Sequence, residues 1–469
     1  MPTTGRRTMG WSEQRIFEKI QHKERFEDVH LLKQEGGLTR QLLRGGVGSL
    51  IAKVAEAILG LMVVVLLARL LGPADYGVYA FAFALVSLAS MPAHAGLAPL
   101  VVRETARGQQ AGDWSAVRGI WRWANGLALG LSLLIAVAGG MALWLGWAQG
   151  SALRDTLPWA LALVPLMALI AIRSASLRGL RHALAGLLPE QVLRPALFAG
   201  LLVLVLIWPG MSLSPDQAMA LMVLSSGLAF GVGAWLLHRY RPQELRGVAS
   251  HYRPGTWFVA AWPMALTQGF QQINRHADVL LLGLLAAVAD VGVYRVAAQG
   301  ALLVSLGLTA LNTVVAPFAV RLNAAGERHK LQKLVRRTAQ AALAFALPAV
   351  ALFAVAGEWL LVTLFGNEFA AAYWPLLILA LGQLANAGFG ATGMLLNMTG
   401  FERDVTRVVA VAAGLNVALN LVLIPLFGVI GAAMATSASL VFWNVWLWQV
   451  VHRRLGVSSL PFSFRKVSQ

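Results

Sequence analysis

The residues best suited to chemistry lie in one polar stretch, "TQGFQQINRHADVLLLG", at positions 267–283. Side chains spaced three and four residues apart share one face of a helix. The polar positions with that spacing are Gln268, Gln271, Gln272, Arg275 and Asp278. The Arg275 fork suits a phosphate group, and the amides suit sugar hydroxyls. We therefore predict that this face binds an anionic, hydroxylated ligand.

A structural alternative exists for two of these residues. Arg275 and Asp278 stand at i and i+3, where opposite charges on a helix can pair, and such a pair would hold two helices together. For Arg275 the sequence favours the ligand-binding interpretation, and for Asp278 it favours the structural one. Asp278 also stays a candidate for binding a coupling ion.

Three further charged residues are candidates. Glu56 could bind a coupling proton or cation, or pair with Lys53 close by. Arg194 is a candidate cavity cation, and we expect it to pair with Glu190 at i,i+4 in the order favoured on helices. Arg295 either lines the mouth of a cavity or pairs with an acid on its own helix.

The composition of the chain indicates a membrane protein. The chain of 469 residues is 58% hydrophobic and 13% charged, whereas soluble domains average about 25% charged residues. Residues 126–149 and 196–214 contain no charge at all, and about 20 apolar residues span a bilayer as a helix. An Arg facing lipid at mid-bilayer costs on the order of +2.5 kcal/mol by the mildest scale, so Arg275 must face protein or water.

We predict about twelve transmembrane helices in an all-α polytopic protein. Their approximate ranges are 47–71, 76–102, 118–148, 156–177, 184–208, 215–238, 257–286, 290–320, 335–357, 373–397, 405–426 and 429–451. The positive-inside rule tests this order. Of the 38 Lys and Arg residues, five fall outside the loops that the order places in the cytoplasm: Arg69, Arg154, Arg194, Arg275 and Arg295. Both termini are therefore expected to face the cytoplasm.

A repeat divides the chain into halves. "ADYGVYAFA" at 74–82 and "ADVGVYRVA" at 289–297 match at six of nine positions, 215 residues apart. Each copy follows the first helix of its half, and Gly72 and Pro73 are expected to end helix one. Six helices per half predict parallel repeats, that is, two pseudo-symmetric six-helix bundles. Adding the offset to Glu56 reaches Gln271, so the halves could present facing polar groups.

The domain boundaries follow from the repeat and the charged loops. We predict a cytosolic arm at 1–44, bundles at 45–240 and 257–452, a cytosolic linker at 241–256 and a cytosolic tail at 453–469. The sequence contains no nucleophile elbow, metalloprotease or Walker motif, and its nine histidines show no metal-ligand spacing. We expect no enzyme activity, cofactor or metal, and the excess positive charge reflects cytoplasmic loops rather than nucleic-acid binding.

Two long segments resemble a known family. "LLARLLGPADYGVYAFAFALVSLASMPAHAGLAPLVVRETAR" at 66–107 is similar to the opening helices of bacterial polysaccharide and O-antigen flippases, which belong to the multidrug/oligosaccharidyl-lipid/polysaccharide exporter superfamily. "GLNVALNLVLIPLFGVIGAAMATSAS" at 414–439 is similar to their eleventh and twelfth helices. The resemblance covers about residues 45–452.

The resemblance implies a flippase of the bacterial cytoplasmic (inner) membrane. Such a protein moves a polyprenyl-pyrophosphate-linked oligosaccharide to the outer leaflet by alternating access, for lipopolysaccharide or exopolysaccharide synthesis. Its partners would be that lipid-linked oligosaccharide and membrane lipids, with a polysaccharide polymerase and chain-length proteins as further candidates. The alternatives are a cation- or proton-coupled multidrug exporter, a lipid II flippase of the same superfamily, and a membrane polysaccharide polymerase or ligase.

Overall fold

Helices form all the regular structure in the described part of the chain, residues 51–147, 150–208, 210 and 212–461 of a computed structural model. The predicted arm at 1–44 lies outside these residues. The helices are α1 (Ile51–Ala89), α2 (Met91–His94), α3 (Leu97–Ala111), α4 (Trp114–Trp144), α5 (Ser151–Gly179), α6 (Ala183–Leu187), α7 (Arg194–Ile207), α8 (Pro215–Tyr240), α9 (Pro254–Leu285), α10 (Val288–Ala324), α11 (Arg328–Phe365), α12 (Tyr373–Phe389), α13 (Thr392–Met398) and α14 (Glu402–Leu455).

Helices α1 and α14 each contain two spans joined by a glycine. The 54 residues of α14 would extend about 80 Å as one straight helix, far beyond the ~30 Å hydrocarbon core of a bilayer. Gly428 breaks this helix with φ 55 and ψ −128, and Gly72 breaks α1 with φ 69. Glycine adopts this left-handed conformation without the steric cost that a Cβ brings. The predicted end of helix one at Gly72 and Pro73 is therefore confirmed.

Counted as spans, with two each in α1 and α14, the helices of the described residues give the twelve-span, all-α arrangement that the sequence predicts. Nine helical segments in this part of the chain are long and apolar enough to cross a membrane, and α1 and α14 are among them. Helix α9 does not qualify, because it carries the polar stretch. The spans use short helices where the backbone bends: α2 and α3 continue α1, a π-helical turn at Leu188–Leu193 joins α6 to α7, and α13 continues α12.

The helices pack as two bundles. In the first, α5 packs on α3, α4 and α8. In the second, α12 packs on α10, α11 and α14, and α10 also packs on α11. Helix α9 contacts both bundles, because it packs on α3 as well as on α14. Its first turns enter the apolar cluster of the first bundle through Trp257 and Ala261, and Trp257 lies 5.6 Å from Trp123, ring centre to ring centre.

The segment before α9 is bound to the start of α4. The His251 N–H donates to the Ser115 carbonyl at 3.0 Å, and Arg122 donates to the Ser250 hydroxyl at 3.1 Å. Asp113, at the N-cap of α4, lies 3.8 Å from Arg253. The Ser115 hydroxyl and a backbone N–H hold the pKa of the Asp113 carboxyl below its usual range. The start of α9 is thus attached to the first bundle in two places. The preceding segment bonds to α4, and the first turns of α9 pack into the apolar cluster.

Candidate functional site

The Asp278 carboxylate lies at the centre of a buried polar cluster in the second bundle. Its Oδ2 accepts hydrogen bonds from the Tyr294 hydroxyl at 2.9 Å and the Thr436 hydroxyl at 2.7 Å. Its Oδ1 accepts one from the Asn420 amide at 2.7 Å. Asp278 is only 4% exposed, and a carboxylate needs such partners when it is removed from water. The cluster joins α9, α10 and both spans of α14.

Two amide oxygens beside Asp278 accept no hydrogen bond from the described residues. They are Oδ1 of Asn416 and Oδ1 of Asn420, both on residues that are almost fully buried. These asparagines stand at i and i+4 on α14, and the Asn416 amide donates to Ser439 at 3.3 Å. Carboxylate, carbonyl and hydroxyl oxygens are the ligands that hard cations prefer. The cluster therefore holds a donor set suited to a small hard cation.

A cavity of about 230 Å³ opens beside this cluster. Arg275 and Arg295 both line it, together with Asp278. Among the described residues neither arginine forms an ion pair, so the expected alternatives, Arg275 with Asp278 and Arg295 with an acid on its own helix, are not what the structure contains. Asp278 is instead satisfied by neutral donors. The two guanidinium groups thus line a cavity, and no acidic side chain of the described residues pairs with them.

The remaining polar residues of the stretch lie toward the start of α9. Gln268 and Gln271 are exposed, and Gln272 is half-buried. They share the Arg275 face of the helix, but the cavity beside Asp278 is lined by a different amide from this stretch, Asn274. The structure therefore brings Arg275, Arg295 and Asp278 together, and the three glutamines are not among the residues that line this cavity.

Arg194 lies at the start of α7, directly after the π-helical turn. The predicted pair with Glu190 is wrong, since no ion pair joins these two residues in the part of the chain that the structure describes. The wider π turn changes the angular spacing, so residues four apart no longer align on one face.

Glu56 pairs with Lys53, which is the structural alternative to a coupling-ion site. Its carboxylate lies 3.6 Å from the Lys53 ammonium, and both side chains are nearly half exposed. This pairing satisfies Glu56 locally, within the first turns of α1.

Sequence reasoning missed most of the Asp278 partners. Tyr294 was interpreted as an interfacial ring, and the α14 residues Asn416, Asn420 and Thr436 were not singled out. Asparagine and threonine inside apolar membrane spans are nevertheless a usable signal, because polar groups at that depth require partners. Asn420 and Thr436 come from positions 142 and 158 residues beyond Asp278. Only the fold shows that these positions meet.

Comparison with known proteins identifies the family. Residues 66–373 match the family described as "Polysaccharide biosynthesis protein", which is more than half of the chain. The chain belongs to this family. The resemblance seen in the sequence is thereby confirmed.

Family relatives and solved structures agree with this assignment. The chain is 26% identical over 165 residues to the probable low-salt glycan biosynthesis flippase Agl15 of Haloferax volcanii, an alignment covering 34% of each protein. The chain thus spans only about a third of the length of that curated relative. Its fold is similar to an inward-facing multidrug resistance MATE transporter of the MOP superfamily, with TM-score 0.73, 14% identity and coverage of 87% and 98% of the two chains.

A second similar structure is the lipid II flippase MurJ in an inward closed conformation. It superposes with TM-score 0.68 and 15% identity, over 86% of this chain and 87% of MurJ. At these identities the structures establish the fold alone. Family and fold together make the protein a multi-pass membrane protein of the polysaccharide biosynthesis family.

Proposed function

We propose that this protein moves polyprenyl-pyrophosphate-linked oligosaccharide from the cytoplasmic to the outer leaflet of the bacterial inner membrane, by alternating access. The glycan would serve surface polysaccharide synthesis, as O-antigen or exopolysaccharide. Membership of the polysaccharide biosynthesis family supports this class of cargo, as does similarity to a probable glycan biosynthesis flippase. The expected topology, with both termini in the cytoplasm, rests on the distribution of Lys and Arg.

The observation that carries the proposal is the pair Arg275 and Arg295. Both line one cavity within the membrane-spanning part of the second bundle, and neither has an acidic partner among the described residues. An unpaired Arg at this depth is costly unless it meets water or an anion. Guanidinium groups bind phosphate oxygens through paired, charge-assisted hydrogen bonds. A pyrophosphate would supply the missing negative charge.

The same region offers contacts for the sugar chain. Gln268 and Gln271 are exposed on the Arg275 face of α9, and Gln383 and Trp443 line the cavity with the arginines. Amides can donate to and accept from hydroxyl groups, and an aromatic face supplies apolar contact to a sugar ring. In this proposal Arg194 adds a further cation from the first bundle.

Asp278 is the proposed site of ion coupling. The cluster holds one carboxylate, two hydroxyl groups and two amide oxygens that accept no hydrogen bond from the described part of the chain. Discontinuous membrane helices coordinate Na⁺ or a proton with oxygen groups of this kind. The Asn420 amide now presents its N–H to Asp278. Rotation of that amide by half a turn would present its oxygen instead, so the cluster can serve a bare carboxylate or a bound cation.

The experiment is reconstitution into sealed vesicles with a fluorescent polyprenyl-pyrophosphate-linked oligosaccharide. We expect transbilayer movement with wild-type protein, and a loss of at least about tenfold with Arg275→Ala. Arg154→Ala, which removes a charge from a predicted outer loop, is the matched control. Wild-type movement in Arg275→Ala would show that this residue is not a cargo ligand.

A cation-coupled drug exporter is the second candidate, because the Asp278 cluster suits a coupling ion and the fold is shared with a MATE transporter. The same vesicles distinguish the two. Efflux of ethidium driven by a Na⁺ or proton gradient, without movement of the lipid-linked sugar, would favour the exporter. The proposed function predicts the reverse.

A further inference from the structure

The two copies of the repeat touch each other through their glycines. A Cβ added to Gly77 would lie 1.9 Å from the carbonyl oxygen of Val288, and a Cβ added to Gly292 would lie 2.3 Å from that of Pro73. Gly292 follows Gly77 by 215 positions, and Val288 follows Pro73 by the same number. We call this reciprocal contact the seam.

The seam has the form of a two-fold interface within one chain. In such an interface residue i of one unit meets residue j of the other, and j meets i. The two backbones approach so closely that only a residue without a Cβ fits. The seam joins the two bundles near the break at Gly72, at the end of the spans that the charge pattern places on the outer face.

A single arginine reinforces the contact beside the seam. The Arg69 Nε donates to the Leu364 carbonyl at 2.7 Å, and its Nη2 donates to the Thr363 carbonyl. These carbonyls belong to the last turn of α11, where backbone oxygens lack helical partners and carry partial negative charge. We call these two hydrogen bonds the latch. The repeat does not duplicate it, because position 284 is Leu.

We propose that the seam and the latch form the gate of the face on which they lie, and that release of Arg69 from α11 permits this face to open. The seam consists of apposed backbone, and no backbone hydrogen bond of the described residues crosses it. The latch consists of charge-assisted hydrogen bonds, which are about twice as strong as neutral ones. Separation of the bundles must break the latch, so Arg69 sets how often the gate opens. The proposed role of Arg69 requires only that the two bundles move apart, and it does not depend on the cargo.

A single thiol reports the state of the gate, because the chain has no cysteine of its own. Gly60→Cys is suitable, since a Cβ there meets only the Gln299 amide, at 3.4 Å, and it lies between the bundles beyond the seam. The measurement is its reaction with a membrane-impermeant maleimide, applied to either face of sealed vesicles. We expect slow reaction from the seam face when Arg69 is intact.

Removal of the latch should expose the thiol from the seam face. Arg69→Ala should raise that rate by about tenfold, roughly the effect of one lost charge-assisted hydrogen bond, and Arg69→Lys should give an intermediate rate. Arg154→Ala, on a predicted outer loop, should leave it unchanged.

A wedge in the seam provides an independent variant. Gly77→Leu should also raise the rate, whereas Gly200→Leu should not, because a Cβ at Gly200 meets nothing within 4 Å. Rapid reaction from the seam face in the starting protein, or a rate that Arg69→Ala leaves unchanged, would overturn the proposal. Should Gly77→Leu fail to fold, Arg69→Ala and Arg69→Lys still decide the outcome.

Discussion

The two halves of the chain share a scaffold but differ in their chemistry. At the positions that form the seam they match, with Gly77 opposite Gly292. At the three charged residues beside the cavity of the second half, the first half carries small or apolar residues. Gly60, Val63 and Ala80 stand 215 positions before Arg275, Asp278 and Arg295. The repeat therefore provides the architecture, and the proposed binding chemistry lies where the repeat is broken.

A tyrosine common to both halves shows the difference directly. Tyr294 donates to Asp278 at 2.9 Å. Its counterpart Tyr79 has an apolar residue, Val63, at the position equivalent to that acid, and it stacks on Phe83 and Phe198 with ring centres 6.4 and 6.3 Å away. The same residue thus serves a polar cluster in one bundle and aromatic packing in the other. Substitutions that give one half the residue of the other test this asymmetry.

The largest effect should come from Asp278→Val, which installs the residue of the first half. The substitution removes the acceptor that Tyr294, Asn420 and Thr436 share. Thr436 can still donate to the Ala432 carbonyl at 3.0 Å, and Tyr294 can donate to the Thr436 hydroxyl at 2.9 Å. One N–H of the buried Asn420 amide loses its acceptor, at roughly 1–3 kcal/mol. We expect the largest fall in melting temperature of any variant discussed, measured on purified protein in detergent. Val63→Ala, at the equivalent position, is the control. A stability equal to wild type would show that the cluster is not satisfied as described.

The next effect should come from the seam, where the halves are alike. Gly77→Ala and Gly292→Ala should each destabilise the protein by about 1–3 kcal/mol, because each drives a methyl group into backbone. The two losses should be similar, and the double variant should lose less than their sum because both act on one contact. Gly200→Ala and Gly414→Ala, which have open space, should be tolerated. Strongly unequal effects of the two seam variants would argue against a reciprocal contact.

Arg295→Ala should reduce transport without reducing stability. It restores the alanine found at position 80 and removes a cation from the cavity, so we expect about a tenfold lower rate of lipid-linked oligosaccharide movement. The free energy of unfolding should change by no more than about 0.5 kcal/mol, because Arg295 forms no ion pair within the described residues. A large loss of stability would instead assign Arg295 a structural role.

The smallest effect should come from Glu56→Gln. The half-exposed pair with Lys53 is worth about 1 kcal/mol or less, so melting temperature should scarcely change. Any dependence of transport on Na⁺ or pH should persist in this variant and disappear in Asp278→Asn. Loss of ion dependence in Glu56→Gln would place the coupling acid in the first half.

Local signals predicted much of this structure. The apolar runs predicted twelve helices, and the Gly-Pro pair predicted the break at Gly72, because both depend on composition and local backbone preference. The polar stretch of α9 predicted that Arg275 and Asp278 are exceptional residues. These features are encoded in neighbouring positions and can be recognised without a fold.

Distant contacts could not be predicted in the same way. The partners of Asp278 are brought together by helix packing across more than 140 residues of sequence. The repeat gave the offset between Gly77 and Gly292 but not the fact that the copies touch. The pairing of Glu190 with Arg194 was wrong because the sequence pattern assumes a regular helix, and a π-helical turn intervenes.

The most direct test of the central claim is the transport rate of Arg275→Gly, which gives the second half the residue of Gly60. Wild-type and variant protein are compared in sealed vesicles containing labelled polyprenyl-pyrophosphate-linked oligosaccharide, at matched amounts of folded protein. We predict that the variant folds and moves the lipid at least about tenfold more slowly. Movement at the wild-type rate would contradict the claim that cargo binding lies where the two halves differ.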